Sequence, residues 1–204
     1  MTSLRHTPDP GTDHGSDPRD GYLDAARDCI LDLGWRRTTL TEVARRAGVS
    51  RMTIYRTWSD MQQLLGDLMT REWAGVVAAT VAEEDPGATA VDRLVGDIVG
   101  TVRTLRVNEL FLRIVELDPE LLLPYLLARR GRSQDAILAM VEEAVRAGQA
   151  AGQVRAGTPV VIARALVLAA HGFVLSTHTM VDDRATETEL DAELAGLLAR
   201  ALAP

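Results

Sequence analysis

Residues 34–58 read Gly34-Trp35-Arg36-Arg37-Thr38-Thr39-Leu40-Thr41-Glu42-Val43-Ala44-Arg45-Arg46-Ala47-Gly48-Val49-Ser50-Arg51-Met52-Thr53-Ile54-Tyr55-Arg56-Thr57-Trp58. The order of residue types specifies two short helices around a sharp turn. Thr39-Leu40-Thr41-Glu42 has the spacing of a capping box, in which the Thr hydroxyl and the Glu carboxylate satisfy first-turn amides. Leu40, Val43, Ala44 and Ala47 then fall on one side of about two helical turns, with Arg45 and Arg46 on the other. Gly48 supplies a backbone angle that lets the chain leave a helix abruptly. Val49 plugs the turn, and Ser50 caps a second helix, 51–58, that buries Ile54 and Trp58. That helix shows solvent Arg51, Met52, Thr53, Tyr55, Arg56 and Thr57, a mixture suited to phosphates and base edges. The charge agrees. Six arginines face one acid, a formal +5 inside a chain of net −7, so everything outside the segment sums to −12. Positive charge gathered on a bihelical unit of an acidic protein is the footprint of a surface that meets phosphate.

Residues 21–73 resemble the DNA-binding domain of TetR/AcrR-family transcriptional regulators. The match runs in one register through Gly34-Trp35, Thr38-Thr39-Leu40, Val43-Ala44, Ala47-Gly48-Val49-Ser50, Ile54-Tyr55 and Trp58, with a helix before and a long helix after. Two departures stand out. The last aromatic is usually Phe in the family. The family also places a Lys early in the next helix, where this chain has Ser59-Asp60-Met61 and, along its whole length, no lysine. Arg56 or amides at the helix start are the candidate replacements for that phosphate contact. The resemblance implies DNA contact through Arg36, Arg37, Thr38, Thr39, Arg45, Arg46, Ser50, Arg51, Met52, Thr53, Tyr55, Arg56 and Thr57.

Working outward, residues 1–19 combine Pro8, Pro10, Pro18, Gly11 and Gly15 with scattered charge and are expected to be a disordered tail. A lead helix, about 20–34, follows from the spacing of Tyr22, Leu23, Ala26, Ile30 and Leu33. Beyond the arginine-rich segment the pattern stays helical: to about Glu83, then 89–106, 108–116, Glu120 to about Ala147 (with Pro124 and Gly131 as candidate bend points), 159–180 and 186–203. Ala and Leu abound and no stretch keeps period-two alternation, so the chain reads as all-α with about nine helices. A three-helix head, 20–66, leads into a larger helical body, 67–204. The single cysteine, Cys29, precludes an internal disulfide and suits a reducing cytoplasm. Arg164, His171, Ser176 and His178 interrupt the most apolar stretch, which favours a buried or interface helix over a membrane span.

No catalytic or cofactor motif appears. His171 and His178 share a helix face but stand roughly 10.5 Å apart at 1.5 Å per residue, too far to bind one metal ion together. No metal, no cofactor and no enzymatic activity are expected. A single small head makes too few contacts for a tight specific site, which argues for a homodimer on a palindromic DNA operator. The resemblance places the dimer in the last two helices. Their apolar faces offer Leu166, Ala170, Phe173 and Val174 with Leu194, Leu197 and Leu198. It also implies a pocket for a small-molecule effector in the body, for which Trp73, Phe111, Tyr125, Met140 and His171 are candidate linings and Glu116 a candidate polar anchor. A mostly aliphatic interior favours a hydrophobic or weakly cationic effector. The competing reading, resting on the absent Lys, is an all-helical small-molecule-binding or scaffold dimer without DNA binding.

Overall fold

The computed structural model describes residues 17–81 and 87–204, and every regular element among them is helical. Helix α1 (Pro18–Leu33) is capped by Asp17, whose carboxylate accepts from the Arg19 amide. Short helices α2 (Leu40–Arg46) and α3 (Arg51–Thr57) complete the head, and α4 (Met61–Val81) leads out of it. The body follows with α5 (Ala90–Arg106), α6 (Glu109–Leu117), α7 (Leu123–Leu127), α8 (Arg132–Ala150), α9 (Pro159–Ser176) and α10 (Glu187–Leu202). Of the expected tail, residues 1–16 lie outside the described residues, while Pro18 and Arg19 form the first turn of α1. The end of α4 expected near Glu83 lies outside them too.

Among the described residues there are ten α-helices rather than about nine, because the element expected from Glu120 to Ala147 is broken. The cause is local. The Ala128 and Arg129 amides both turn back to the Pro124 carbonyl and close α7. Gly131 is then extended, with its amide donated to the Gln134 side chain at 2.9 Å, and the same side chain donates to the Tyr125 carbonyl. A side chain that caps α8 and ties down the end of α7 makes the break a built feature.

Two apolar cores organise the molecule. The first joins Leu23, Ala26, Cys29 and Ile30 of α1, Leu40 and Val43 of α2, Ile54, Trp58, and Leu64 and Leu68 of α4, with Leu110 and Ile114 of α6. Cys29 is fully enclosed, and burial pushes its thiol above the ordinary range. The second core joins α5, α8, α9 and α10. Asp191 on α10 is buried there between Arg103 (2.7 Å) and Arg106 (2.8 Å), which fixes α10 to α5.

This second core claims three residues expected at a subunit interface. Leu166, Leu194 and Leu198 are buried inside the protomer, with Leu194 at 0% exposure. They lie on the α9 and α10 faces turned toward α5, where they close the protomer's own interior. Ala170, Phe173 and Val174 are half-buried and Leu197 is exposed. The apolar residues that α9 leaves in solvent are Val161, Ala165, Leu168 and Gly172, spaced four, three and four apart on one helix face.

Candidate nucleic-acid interface and cavity

The turn between α2 and α3 is built by three residues. The Thr39 hydroxyl accepts from the Glu42 amide at 3.2 Å, which caps α2. Gly48 sits at φ +67°, where a side chain is strained, and the Ser50 hydroxyl accepts from the Thr53 amide to open α3. Only half of the expected capping box forms. The Glu42 carboxylate turns outward to Arg45 (3.0 and 2.5 Å), and that hydrogen bond holds it below the usual carboxylate range. With Ile54 and Trp58 buried beneath it, α3 presents Arg51, Met52, Tyr55 and Arg56 to solvent; Met52 is 76% exposed. Trp58 stands just past the helix as its C-cap.

The expected DNA-contact residues separate into two groups. Arg51 and Arg56 have no ion-pair partner among the described residues, and Arg37 donates only to the Leu33 carbonyl at 2.9 Å. Ser50, Thr53 and Thr57 line the same short helix, with hydroxyls engaged in its own capping and backbone. Thr39, at the start of α2, is exposed. Arg45 and Arg46 pair with Glu42 and Asp32. Thr38 and Arg36 are engaged with the protein itself. Thr38 is buried, its hydroxyl donating to the Gly34 carbonyl at 2.9 Å. Arg36 reaches the body instead, to Glu120 at 2.7 Å and Asp118 at 3.4 Å. Buried Asp118 also accepts the Trp35 amide, so it stitches the head to the end of α6. Met61, at the place where the family carries a lysine, is half-buried against the head core. At the start of α4 the Gln63 amide is taken by Asp60 at 2.9 Å. Arg56, the other candidate replacement for the missing Lys, has no ion-pair partner among the described residues.

Behind the head, a cavity of about 590 Å³ opens between α4 and the α7–α8 break. Trp73, Phe111, Tyr125 and His171 line it, with Val76, Val77, Ile137 and Val174. Trp73 and Phe111 meet edge to face at 5.8 Å, and the Arg129 guanidinium lies 5.0 Å over the Tyr125 ring. Burial holds the His171 imidazole below its ordinary pKa, so it is neutral near pH 7. Two expected linings lie elsewhere. Glu116 is on the exposed side of α6, and Met140, 52% exposed, borders a separate hollow of about 220 Å³ between α5 and α8. Residues not expected from the sequence form the rim: Arg129, Arg130 and Arg132 stand at the cavity mouth, with Gln134 and Thr101 among its polar linings. Their signal, a run of arginines around Gly131, lies inside a stretch whose pattern is that of one continuous helix.

A capped helix-turn-helix with an arginine-bearing second helix, carried on a helical body that holds a cavity, defines a transcriptional regulator. Residues 23–68 match the family model for bacterial regulatory proteins of the tetR family. Over 179 residues the chain is 32% identical to an uncharacterised HTH-type transcriptional regulator of Mycobacterium bovis, covering 86% of this chain and 92% of that one. This chain belongs to the TetR family of transcriptional regulators. The R. erythropolis repressor QsdR superposes with a TM-score of 0.66 at 17% identity, over 92% of this chain and 96% of that one. SmeT, solved as its triclosan complex, gives 0.59 at 25% identity over 92% of each.

Proposed function

We propose that this regulator is a homodimeric repressor in the cytoplasm that binds a palindromic DNA operator and is released by a small-molecule effector. One observation carries the link between the two activities: α4 belongs to both sites. Its first turns put Leu64, Leu65 and Leu68 into the head core, while Leu65, Trp73, Val76 and Val77 line the cavity. A ligand that shifts this helix must move the head. It releases DNA only by binding the DNA-incompetent conformer more tightly, since equal affinity shifts nothing. We take 20–66 as the reading head and 67–204 as the sensing and pairing part, with the boundary inside one continuous helix. The triclosan complex of SmeT supports an apolar small molecule as the kind of effector this fold accepts.

The subunit contact follows from the exposed face of α9. The stretch Pro159–Thr179 has a mean hydropathy of 1.8, enough by length and composition to cross a membrane, yet Arg164 sits within it and its other face packs on α5 and α8. A second copy covering Val161, Ala165 and Leu168 accounts for that apolar face.

Fluorescence anisotropy with operator duplexes selected from a random library tests the DNA half. Arg37, Arg51 and Arg56 give three unpaired cations per head, so log affinity falls against log salt with a slope of about −5 for a dimer. Arg36→Ala leaves that slope unchanged. A slope near zero, or one that Arg36→Ala flattens, rejects the assigned surface. Leu168→Asp, 69% exposed in the protomer, keeps the helical spectrum but gives a monomer by light scattering and weakens operator binding. A dimer that survives Leu168→Asp places the contact elsewhere.

A further inference from the structure

The mouth of the cavity is charged where its interior is not. Arg129, Arg130 and Arg132 rim it against one carboxylate, Asp60, and that carboxylate is held by the Gln63 amide and the Ser59 hydroxyl. Arg130 pairs with Asp135 at 2.7 Å. Arg129 has only the face of Tyr125, with no carboxylate beside it among the described residues. Arg132, 69% exposed, reaches the Asp67 Oδ1 of α4. The other oxygen, Oδ2, takes the Trp58 indole N–H at 2.7 Å and the Arg19 guanidinium, which also lies 5.3 Å over the Trp58 ring. Burial acts to raise the Asp67 carboxyl, and hydrogen bonds from Trp58, Arg132 and Arg19 outweigh it, so the group stays ionised. Asp67 therefore joins the cavity mouth to the residue that ends the recognition helix.

We propose that the effector is an amphipathic carboxylate, with its apolar chain in the cavity and its carboxylate on Arg132 and Arg129, and that it acts by competing with Asp67 for Arg132. This deepens the effector reading of the same cavity and rests on it. An apolar chain suits walls of Trp73, Val76, Val77, Phe111 and Ile137. A guanidinium presents donors in a fork that fits a carboxylate, and Arg129 stands beside it without one. An ammonium head is repelled by the unpaired Arg129 guanidinium, and a neutral head forgoes a charge-assisted bond. Drawing Arg132 away leaves Asp67 resting on Arg19 and the Trp58 indole alone. The support under the end of α3 then changes without any ligand contact to the head. A Phe at position 58 has no N–H and could not carry this connection.

Dodecanoate, dodecan-1-ol and dodecylammonium, each below its micelle concentration, are titrated into the full chain by calorimetry, and operator release is followed by anisotropy. Dodecanoate is expected to bind at least about tenfold tighter than the alcohol, since hydrogen bonds to charged groups are worth that much or more, with the ammonium weakest. Replacing both rim arginines (Arg129→Gln with Arg132→Gln) brings the acid down to the level of the alcohol, and Arg132→Gln alone removes part of the preference. Asp67→Asn removes the competing charge and tightens the acid. Equal binding of alcohol and acid, a full preference that survives the double replacement, or an acid affinity untouched by Asp67→Asn overturns the carboxylate assignment. The cavity reading survives those results provided Ile137→Trp, folded by circular dichroism, blocks all the ligands that bind. If none of the three binds, or Ile137→Trp changes nothing, both readings fall.

Discussion

The head and the body of this regulator solve opposite problems. The head encloses its large side chains almost completely: Ile30, Ile54, Trp58, Leu64 and Leu68 have essentially no exposed surface. The body instead keeps Trp73, Tyr125 and His171 half-buried around an open space. A DNA reader needs a fixed geometry, because base-edge contacts fail when misplaced, and close packing supplies that rigidity. A sensor needs room and a low barrier to change. The two share one helix, so the packed end of α4 reports what happens at its hollow end.

Truncating one tryptophan on each side should give the largest contrast. Trp58→Ala leaves a cavity in a sealed core, removes the edge-to-face contact with Tyr22 at 6.4 Å and takes the indole N–H from the Asp67 carboxylate. Loss of about 3–5 kcal/mol of unfolding free energy is expected, with loss of operator binding. Trp73→Ala enlarges a space that already exists, so its packing penalty is much smaller, while ligand affinity falls. Urea unfolding of the two variants measures the difference. Equal losses would show that the body is packed as tightly as the head.

The same division explains what could be read from the sequence. Everything that fixes the head lies within about twenty-five consecutive residues: a cap at Thr39, a glycine at Gly48, a second cap at Ser50, and apolar residues at helical spacing. Local chemistry of this kind leaves a linear trace. The body's features depend on distant partners. Nothing near Arg36 indicates that its guanidinium meets Glu120, nor does anything near Leu194 reveal whether its apolar face closes the protomer or a dimer. Arg132 was likewise hidden, because a periodicity that continues through Gly131 gives no sign of the break that places it at a rim. The cavity residues Trp73, Phe111, Tyr125 and His171 came from the family resemblance, and apolar spacing alone would have left them as core.

Two glycines extend the comparison at smaller magnitude. Gly48, at φ +67°, has open space around it, so Gly48→Ala is opposed by backbone strain alone, about 1–2 kcal/mol. Gly96, inside α5, has ordinary helical angles and no atom within 4 Å of an added Cβ. Gly96→Ala is expected to stabilise by about 0.5–1 kcal/mol through helix propensity. Thermal unfolding should move in opposite directions for the two variants. A gain at Gly48 would show that the turn is not held by the angle assigned to it.

The smallest effect separates head from body by pH. No histidine lies between residues 17 and 170, so a histidine titration near neutrality cannot originate in the head. His171 faces the cavity, and burial depresses its pKa. Above the unfolded value, about 6.5, the imidazole is neutral in both states and adds no pH dependence. As pH falls past that value the unfolded chain takes up a proton first, because the folded site resists the charge. Stability therefore declines from about pH 6.5 downward until the folded imidazole also titrates. His171→Leu removes this component, so the melting temperature of the wild type should fall relative to that of the variant as pH drops through that window. Effector affinity should follow the same direction if the ligand touches the neutral ring, and operator affinity of the ligand-free protein should not. A pH dependence identical in wild type and His171→Leu would mean that the imidazole is solvated in the folded protein, and that the cavity is wetter at its α9 wall than its apolar lining implies.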